Sequence, residues 1–303
     1  MALAIGVRHA VAAVLVVALG IGIAAPNAVH AEDVWVQTTA PTELWAGTAP
    51  DSASFGPVRS RSYFRLHGER LGDRIYVYNP RTQNFAYINA DVIQPSAAPP
   101  ADYLAGPRVL QPLGLPGRIV GTTSAYREPL IDDRLFVAEM EHNASVEARD
   151  RVEADDGSEW VRLADGTFVP AEGVRVPPAV VQARTGRWID VSLEAPTIVT
   201  AYEDGKPVYT TLAIHGIDGW ETPTGTYVLE RRVANETMRG PTWYVTGVLF
   251  TQYFTGSGHS IHYNYWSSNW GYAGSHGCLG MTYADSLWFW EWATIGTPIV
   301  IRD

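Results

Sequence analysis

The chain has 303 residues, 46% of them hydrophobic and 11% aromatic, and a formal net charge of −10. That length exceeds what one core normally spans, so two or three domains are expected, and the acidic balance excludes nucleic acid and other anionic polymers as bulk electrostatic partners. A single cysteine, Cys278, excludes an internal disulfide; in an oxidising compartment a lone thiol is buried, pairs with another molecule or reacts.

Arg8 and His9 precede an uncharged run from Ala10 to Ala25, Pro26 breaks it, and Val29-His30-Ala31 suits a cut after Ala31. The pattern is that of a secretory signal peptide over residues 1–31. The run is short for a helix that must span a bilayer with about 17–25 residues, which makes an uncleaved anchor the weaker alternative. An exported, extracytoplasmic protein is expected, with no stable membrane span after cleavage.

Residues 32–95 predict a small β-barrel-like domain. Short apolar or alternating runs recur at Val34-Trp35-Val36, Thr42–Trp45, Tyr63–Leu66, Arg74–Tyr78 and Phe85–Ile88, with a turn at Asn79-Pro80. Trp35, Trp45, Tyr63 and Tyr76 are expected in its core. Residues 96–118, opening on SAAPPAD, are expected to be a Pro/Ala/Gly-rich linker. Residues 119–178 predict a second barrel-like unit, with a hairpin turning at Asp165-Gly166. Both units close as strand, turn, strand and a short alanine-containing exit, an internal repeat of about 80 residues. The acidic pairs Asp132-Asp133 and Asp155-Asp156 belong to solvated turns, and nothing near them is spaced like a metal loop.

Residues 186–303 form the expected C-terminal domain. Strands are predicted at Arg187–Leu193, Thr197–Tyr202 and Pro207–Ile214, the last two joined by Glu203-Asp204-Gly205-Lys206, a hairpin signal. Thr282, with Asp285 three residues on, predicts a capped helix ending before Gly296, and Thr297–Ile301 a final strand. One helix among many strands gives a mostly β, α+β class. The segment Thr255–Met281 holds three of the eight histidines, His259, His262 and His276, beside Cys278. A thiol and an imidazole in one segment are the parts of a covalent nucleophile and its base.

The series W-I-D-V, Y-x-x-G-K, T-P-T-G-T-Y, I-H, S-H-G-C-L-x-M, an Asp-bearing helix and G-T-P-I-V-I resembles the L,D-transpeptidase catalytic domain of the YkuD type. The two upstream units loosely resemble bacterial Src-homology-type β-barrels. The catalytic resemblance implies that Cys278 is the nucleophile, His262 the proton donor and acceptor, and His276 a supporting residue, with the backbone N–H groups of Gly277 and Cys278 as an oxyanion hole. It further implies peptidoglycan stem peptides as donor and acceptor, carbapenem-type β-lactams as possible ligands, and no metal or organic cofactor. Tyr263, Tyr265, Trp266, Ser275 and Gly280 are the candidate substrate-binding residues, with Tyr253 and Trp270 as further wall. His259 and His215 carry no transferable role. Two positions depart from the family pattern: Gly280 replaces Arg or Asn, and Tyr263-Asn264 replaces Gly-Thr after the histidine. The expected reaction is acyl transfer through Cys278. An L,D-carboxypeptidase and a non-catalytic wall-binding protein are the competing readings.

Overall fold

The computed structural model describes residues 34–100, 103, 106–180, 184–240 and 243–303, so the expected signal segment 1–31 lies outside the described residues. The chain clusters into two units, one running to Arg108 together with the turn Asp155–Gly157, the other holding the rest. Among the described residues, no helix is long and apolar enough to cross a membrane.

In the first unit seven strands form one sheet. Its core is Val36, Leu44, Val58, Phe64, Val77, Ala86 and Ile88. Trp35, Trp45, Tyr63 and Tyr76, expected inside, are only half-buried. In each case the chain neighbour, Val36, Leu44, Phe64 or Val77, takes the inward place. Successive strand residues face opposite sides, so an aromatic beside an aliphatic residue cannot share its core position.

The second unit opens with another seven-stranded sheet. Numbered along the chain within each sheet, both have the order 3-2-6-5-4-1-7, and in both a single 3₁₀ turn, Ala90–Val92 or Ala171–Gly173, precedes the last strand. The stretch 96–118, expected as linker, is strand from Arg108 onward: Arg108–Ile119 opens this sheet. Pro112, Gly114, Pro116 and Gly117 hide it in the sequence, since such residues usually interrupt strands. It is held between Ser145–Glu153 and Val174–Arg175 in the sheet, with Arg118 and Ile119 paired to Arg175 and Val174 at its far end.

The remainder of this unit has a five-stranded sheet, Lys206–Leu212, Ile198–Glu203, Arg187–Ser192, Pro298–Arg302 and Gly225–Val228 in spatial order, and a four-stranded sheet, Arg231–Arg239, Tyr244–Tyr253, Ser260–Tyr263 and Leu279–Met281. Both contribute to one core: Ile189, Val191, Val199, Ile299 and Ile301 from the first, Ile261, Leu279 and Met281 from the second. Among the described residues there is one α-helix, Tyr283–Trp292, which adds Phe289 and Trp292 to that core. Thr282 caps it by accepting from the Asp285 N–H at 3.1 Å. The Asp285 carboxylate reaches back to the Thr282 hydroxyl rather than to its backbone N–H, and its other oxygen is committed elsewhere.

That commitment joins the second seven-stranded sheet to the helix. Arg118 donates to Asp285 Oδ1 at 2.7 Å, to the Thr210 carbonyl at 2.7 Å and to the Asn143 carbonyl at 2.9 Å. Tyr209 Oη also donates to Asp285 Oδ1, at 2.7 Å. Asn143 Oδ1 accepts the Leu212 N–H at 3.1 Å. Burial, and then the Asp285 carboxylate, push the Tyr209 phenol up to about 12, so it stays a donor. His142 takes the Gly121 N–H on Nδ1 at 2.9 Å, which leaves Nε2–H to donate to the Trp270 carbonyl at 2.8 Å. The second small sheet is thus bonded to both the helix and the Trp270 loop.

Candidate active site

The site follows from strand alternation. Ser260–Tyr263 and Leu279–Met281 run parallel, with Ile261 opposite Leu279, His262 opposite Gly280 and Tyr263 opposite Met281. Ile261, Leu279 and Met281 enter the core. Period two then puts Ser260, His262 and Asn264 on the other face, beside Cys278 and Gly280. Ser260 Oγ lies 3.6 Å from Cys278 Sγ. The thiol lies 3.8 Å from the Gly258 carbonyl. The segment Thr255–Met281 therefore brings Cys278 and His262 together through one parallel strand pair.

The His262 ring is 3% exposed and its Nδ1 lies 2.9 Å from its neighbour's carbonyl, Tyr263 O. A carbonyl can only accept, so Nδ1 carries the proton and Nε2 is the ring atom left for the thiol. Burial pushes the Cys278 thiol up, but hydrogen bonding and charge from His262, together with the Ser260 hydroxyl and N–H, bring it below its ordinary value. Burial pushes the His262 imidazole down, yet Cys278, the Tyr263 carbonyl and the more distant Glu236 carboxylate raise it above its ordinary value. The two shifts oppose each other as a thiolate–imidazolium pair requires.

The turn before Cys278 is clamped by Ser275. Its hydroxyl donates to the Cys278 carbonyl at 2.7 Å and accepts the Gly277 N–H at 3.1 Å. Gly277 has φ of +100°, and a Cβ there would lie 2.7 Å from His259 Cδ2 and 3.1 Å from the Glu221 carbonyl. The His259 ring is itself fixed, with Thr255 Oγ1 2.9 Å from Nδ1. Only glycine suits this backbone and this approach. Gly277→Ala is expected to strain the turn by about 1–3 kcal/mol and displace the thiol. Alkylation of Cys278 by iodoacetamide should slow at least about tenfold; wild-type reactivity would refute the assignment.

The other sequence candidates divide. Ser275 serves the turn, its hydroxyl bonded within the loop. The His276 side chain is exposed and lies between two indoles, 5.3 Å from Trp243 in a stacked contact and 5.1 Å from Trp220 edge-on. Tyr263, Tyr265 and Trp266 line a cleft of about 450 Å³ with Asn264, Trp270 and Tyr283. Trp266 also stacks on His262 at 5.7 Å. Tyr253 is buried, its hydroxyl donating to Glu236 at 2.8 Å. His215 Nδ1 pairs with Thr197 Oγ1 at 2.9 Å. Sequence reading did not single out Ser260 and marked Asn264 only as a departure from the family pattern, although each stands two residues from His262, a spacing that marks a shared strand face. Among the described residues, no group of three or more His, Cys, Asp or Glu side chains is placed to hold a metal ion.

Residues 186–301 match the family model of the L,D-transpeptidase catalytic domain, YkuD. A search of curated proteins found no match. Among solved structures the chain is similar to the L,D-transpeptidase (Yku) from Stackebrandtia nassauensis, at 19% identity over 41% of this chain and 60% of that one, with a TM-score of 0.36. It is similar to the catalytic domain of the E. faecium L,D-transpeptidase at 23% identity, over 41% of this chain and 100% of that one, with a TM-score of 0.37. It is also similar to an L,D-transpeptidase from Mycobacterium smegmatis at 19% identity, over 48% of this chain and 90% of that one, with a TM-score of 0.36. The thiol–imidazole strand pair lies inside the matched segment, and residues 186–301 form a catalytic domain of the L,D-transpeptidase family.

Proposed function

We propose that the protein is an exported L,D-transpeptidase that cross-links or modifies the bacterial cell wall. The observation that carries this reading is the Cys278–His262 pair, with the thiol lowered and the imidazole raised at two adjacent strands. The Cys278 thiolate attacks the carbonyl carbon after the third residue of a peptidoglycan tetrapeptide stem, forming a C–S bond and a tetrahedral oxyanion. His262 Nε2–H gives its proton to the departing amine as the C–N bond breaks, releasing D-alanine and leaving a thioester. An amine of a neighbouring stem then attacks the thioester, His262 takes its proton, and the thiolate leaves. The Gly277 N–H is shared with Ser275 Oγ at 3.1 Å, so the Cys278 N–H is the proposed principal oxyanion donor. His276 supports the turn from outside, Trp266, stacked on His262, is the proposed substrate wall beside the pair, and Tyr263 and Tyr265 line the neighbouring cleft, which neither Cys278 nor His262 lines. Residues 1–31 are proposed as the export signal, and 32–95 and 119–178 as two barrel-like modules, the second extended back to the strand that opens at Arg108.

Mass spectrometry of the intact protein tests this. Incubation with a tetrapeptide stem should release D-alanine and leave an acyl adduct, and a carbapenem should leave an adduct of its own mass. Both adducts should vanish in Cys278→Ala. Absence of any adduct and of D-alanine release from the wild type would sink the proposal. Release of free tripeptide alone, with an amine acceptor present, would assign an L,D-carboxypeptidase instead.

A further inference from the structure

Asn264 is a buried polar group that the acyl-transfer chemistry leaves unused. Its side chain is 2% exposed. Its backbone N–H is taken by the Met281 carbonyl at 2.9 Å, and its Oδ1 accepts the Trp266 N–H at 3.2 Å. An N–H donor fixes which end of the amide is oxygen, so Nδ2 is the free end. Among the described residues Nδ2 donates to none. It points toward Gly280: a Cβ built on Gly280 would stand 2.7 Å from Nδ2 and 3.0 Å from Asn264 Cβ. Gly280 is the strand partner of His262. The Asn264 amide therefore fills the place where a side chain at 280 would stand, beside the imidazole and two residues along the strand from Cys278. Nδ2 keeps contact with solvent although the residue as a whole is buried, so a ligand carboxylate can reach it and take the place of water.

We propose that Asn264 is a specificity-determining residue whose Nδ2–H donates to the terminal carboxylate of the donor stem. The inference rests on the transpeptidase reading. In that reaction His262 must reach the amine of the departing residue. The carboxylate of that residue is separated from the amine by one Cα, so a donor adjoining the imidazole on the same face meets it. Gly280 is what admits the amide, since any larger residue there would displace it.

The test compares two donors on the full-length protein: the tetrapeptide stem, and the same tripeptide carrying ethylamine in place of D-alanine, which has the scissile amide without the carboxylate. The readout is the ratio of kcat/KM for the two, scored by released amine. Asn264→Ala and the near-isosteric Asn264→Leu should each lower that ratio about ten- to hundredfold, the range of one hydrogen bond to a charged group. A ratio equal to wild type in either folded variant would overturn the assignment, whatever the absolute rates, because a structural defect lowers both donors alike. Asn264→Gly with Gly280→Asn, which carries an amide back to the same place from the partner strand, should recover part of the ratio. A wild type that consumes neither donor would refute the transpeptidase reading itself, and this inference with it. Consumption of both by wild type, with an unaltered ratio in the variants, would refute the inference alone.

Discussion

Replacing Arg118 with methionine is expected to destabilise the second unit by about 3–5 kcal/mol, the cost of leaving one member of a buried ion pair without its partner. The Arg118 and Asp285 side chains are 6% and 3% exposed, so little water reaches either charge. Methionine retains much of the stem packing, so the loss reports the charge. Without the guanidinium, Asp285 keeps the Tyr209 hydroxyl and the Thr282 cap, but a carboxylate in that environment still lacks a countercharge. Denaturant unfolding should show a lower midpoint at an unchanged slope. Arg118→Met combined with Asp285→Asn should cost less than the sum of the two single changes, because the stranded charge is gone. A single-variant loss below about 1 kcal/mol would mean that solvent or rearrangement satisfies the carboxylate, and the joint would be no stronger than a surface pair. The helix that Asp285 anchors begins directly after the Leu279–Met281 strand, so damage here should also slow the reactions of Cys278.

His262→Ala is expected to lower acylation of Cys278 about 10²- to 10⁴-fold, the usual contribution of a positioned acid–base group. Its pH dependence is the sharper observable. In the wild type the thiol lies below its ordinary value because His262 outweighs burial. The thiolate, the reactive form, should therefore be half-populated at a lower pH than in an ordinary thiol. Removing the imidazole leaves burial as the largest influence, and burial favours the neutral thiol. The alkylation profile of the variant should move to higher pH, above the ordinary thiol range. A profile that stays in place, or moves down, would show that some other group sustains the thiolate. The raised His262 value predicts that the imidazolium persists to higher pH than a free histidine, so the acylation rate should decline only where that proton is lost.

Much of the C-terminal fold was legible because its signals are local. Asp204-Gly205 between two apolar runs specifies the hairpin Ile198–Glu203 and Lys206–Leu212, and Thr282 three residues before Asp285 specifies a cap. Cys278 and His262 were legible as the chain's sole thiol and a nearby imidazole. What escaped depends on distant partners. Nothing around Arg118 announces a carboxylate 167 positions away. Ser260 and Asn264 are ordinary polar residues until the parallel register sets them against Cys278 and Gly280. Alternation correctly implied strands at Trp35 and Tyr63 but not which phase faced inward, because Val36 and Phe64 are equally apolar. The supporting role of His276 came from the resemblance; the place of its ring, between Trp220 and Trp243, depends on an irregular turn that no local pattern specifies.

The two seven-stranded sheets share one strand order, and their registers permit a position-by-position comparison. Ile119 pairs with Val174 as Thr38 pairs with Ile93, which makes Gln37 the counterpart of Arg118. The Asn143 N–H bonds the Ile119 carbonyl as the Arg61 N–H bonds that of Thr38, and both residues hold a left-handed turn, with φ of 63° and 64°. Gln37 donates within its own sheet, to the Arg61 carbonyl at 3.2 Å. Grafted in place of its sibling, the first sheet would offer a neutral amide where Asp285 has a guanidinium. Of two sheets with one strand order, only the second carries a cation at the position that meets the helix, and its counterpart has no residue there that could replace it.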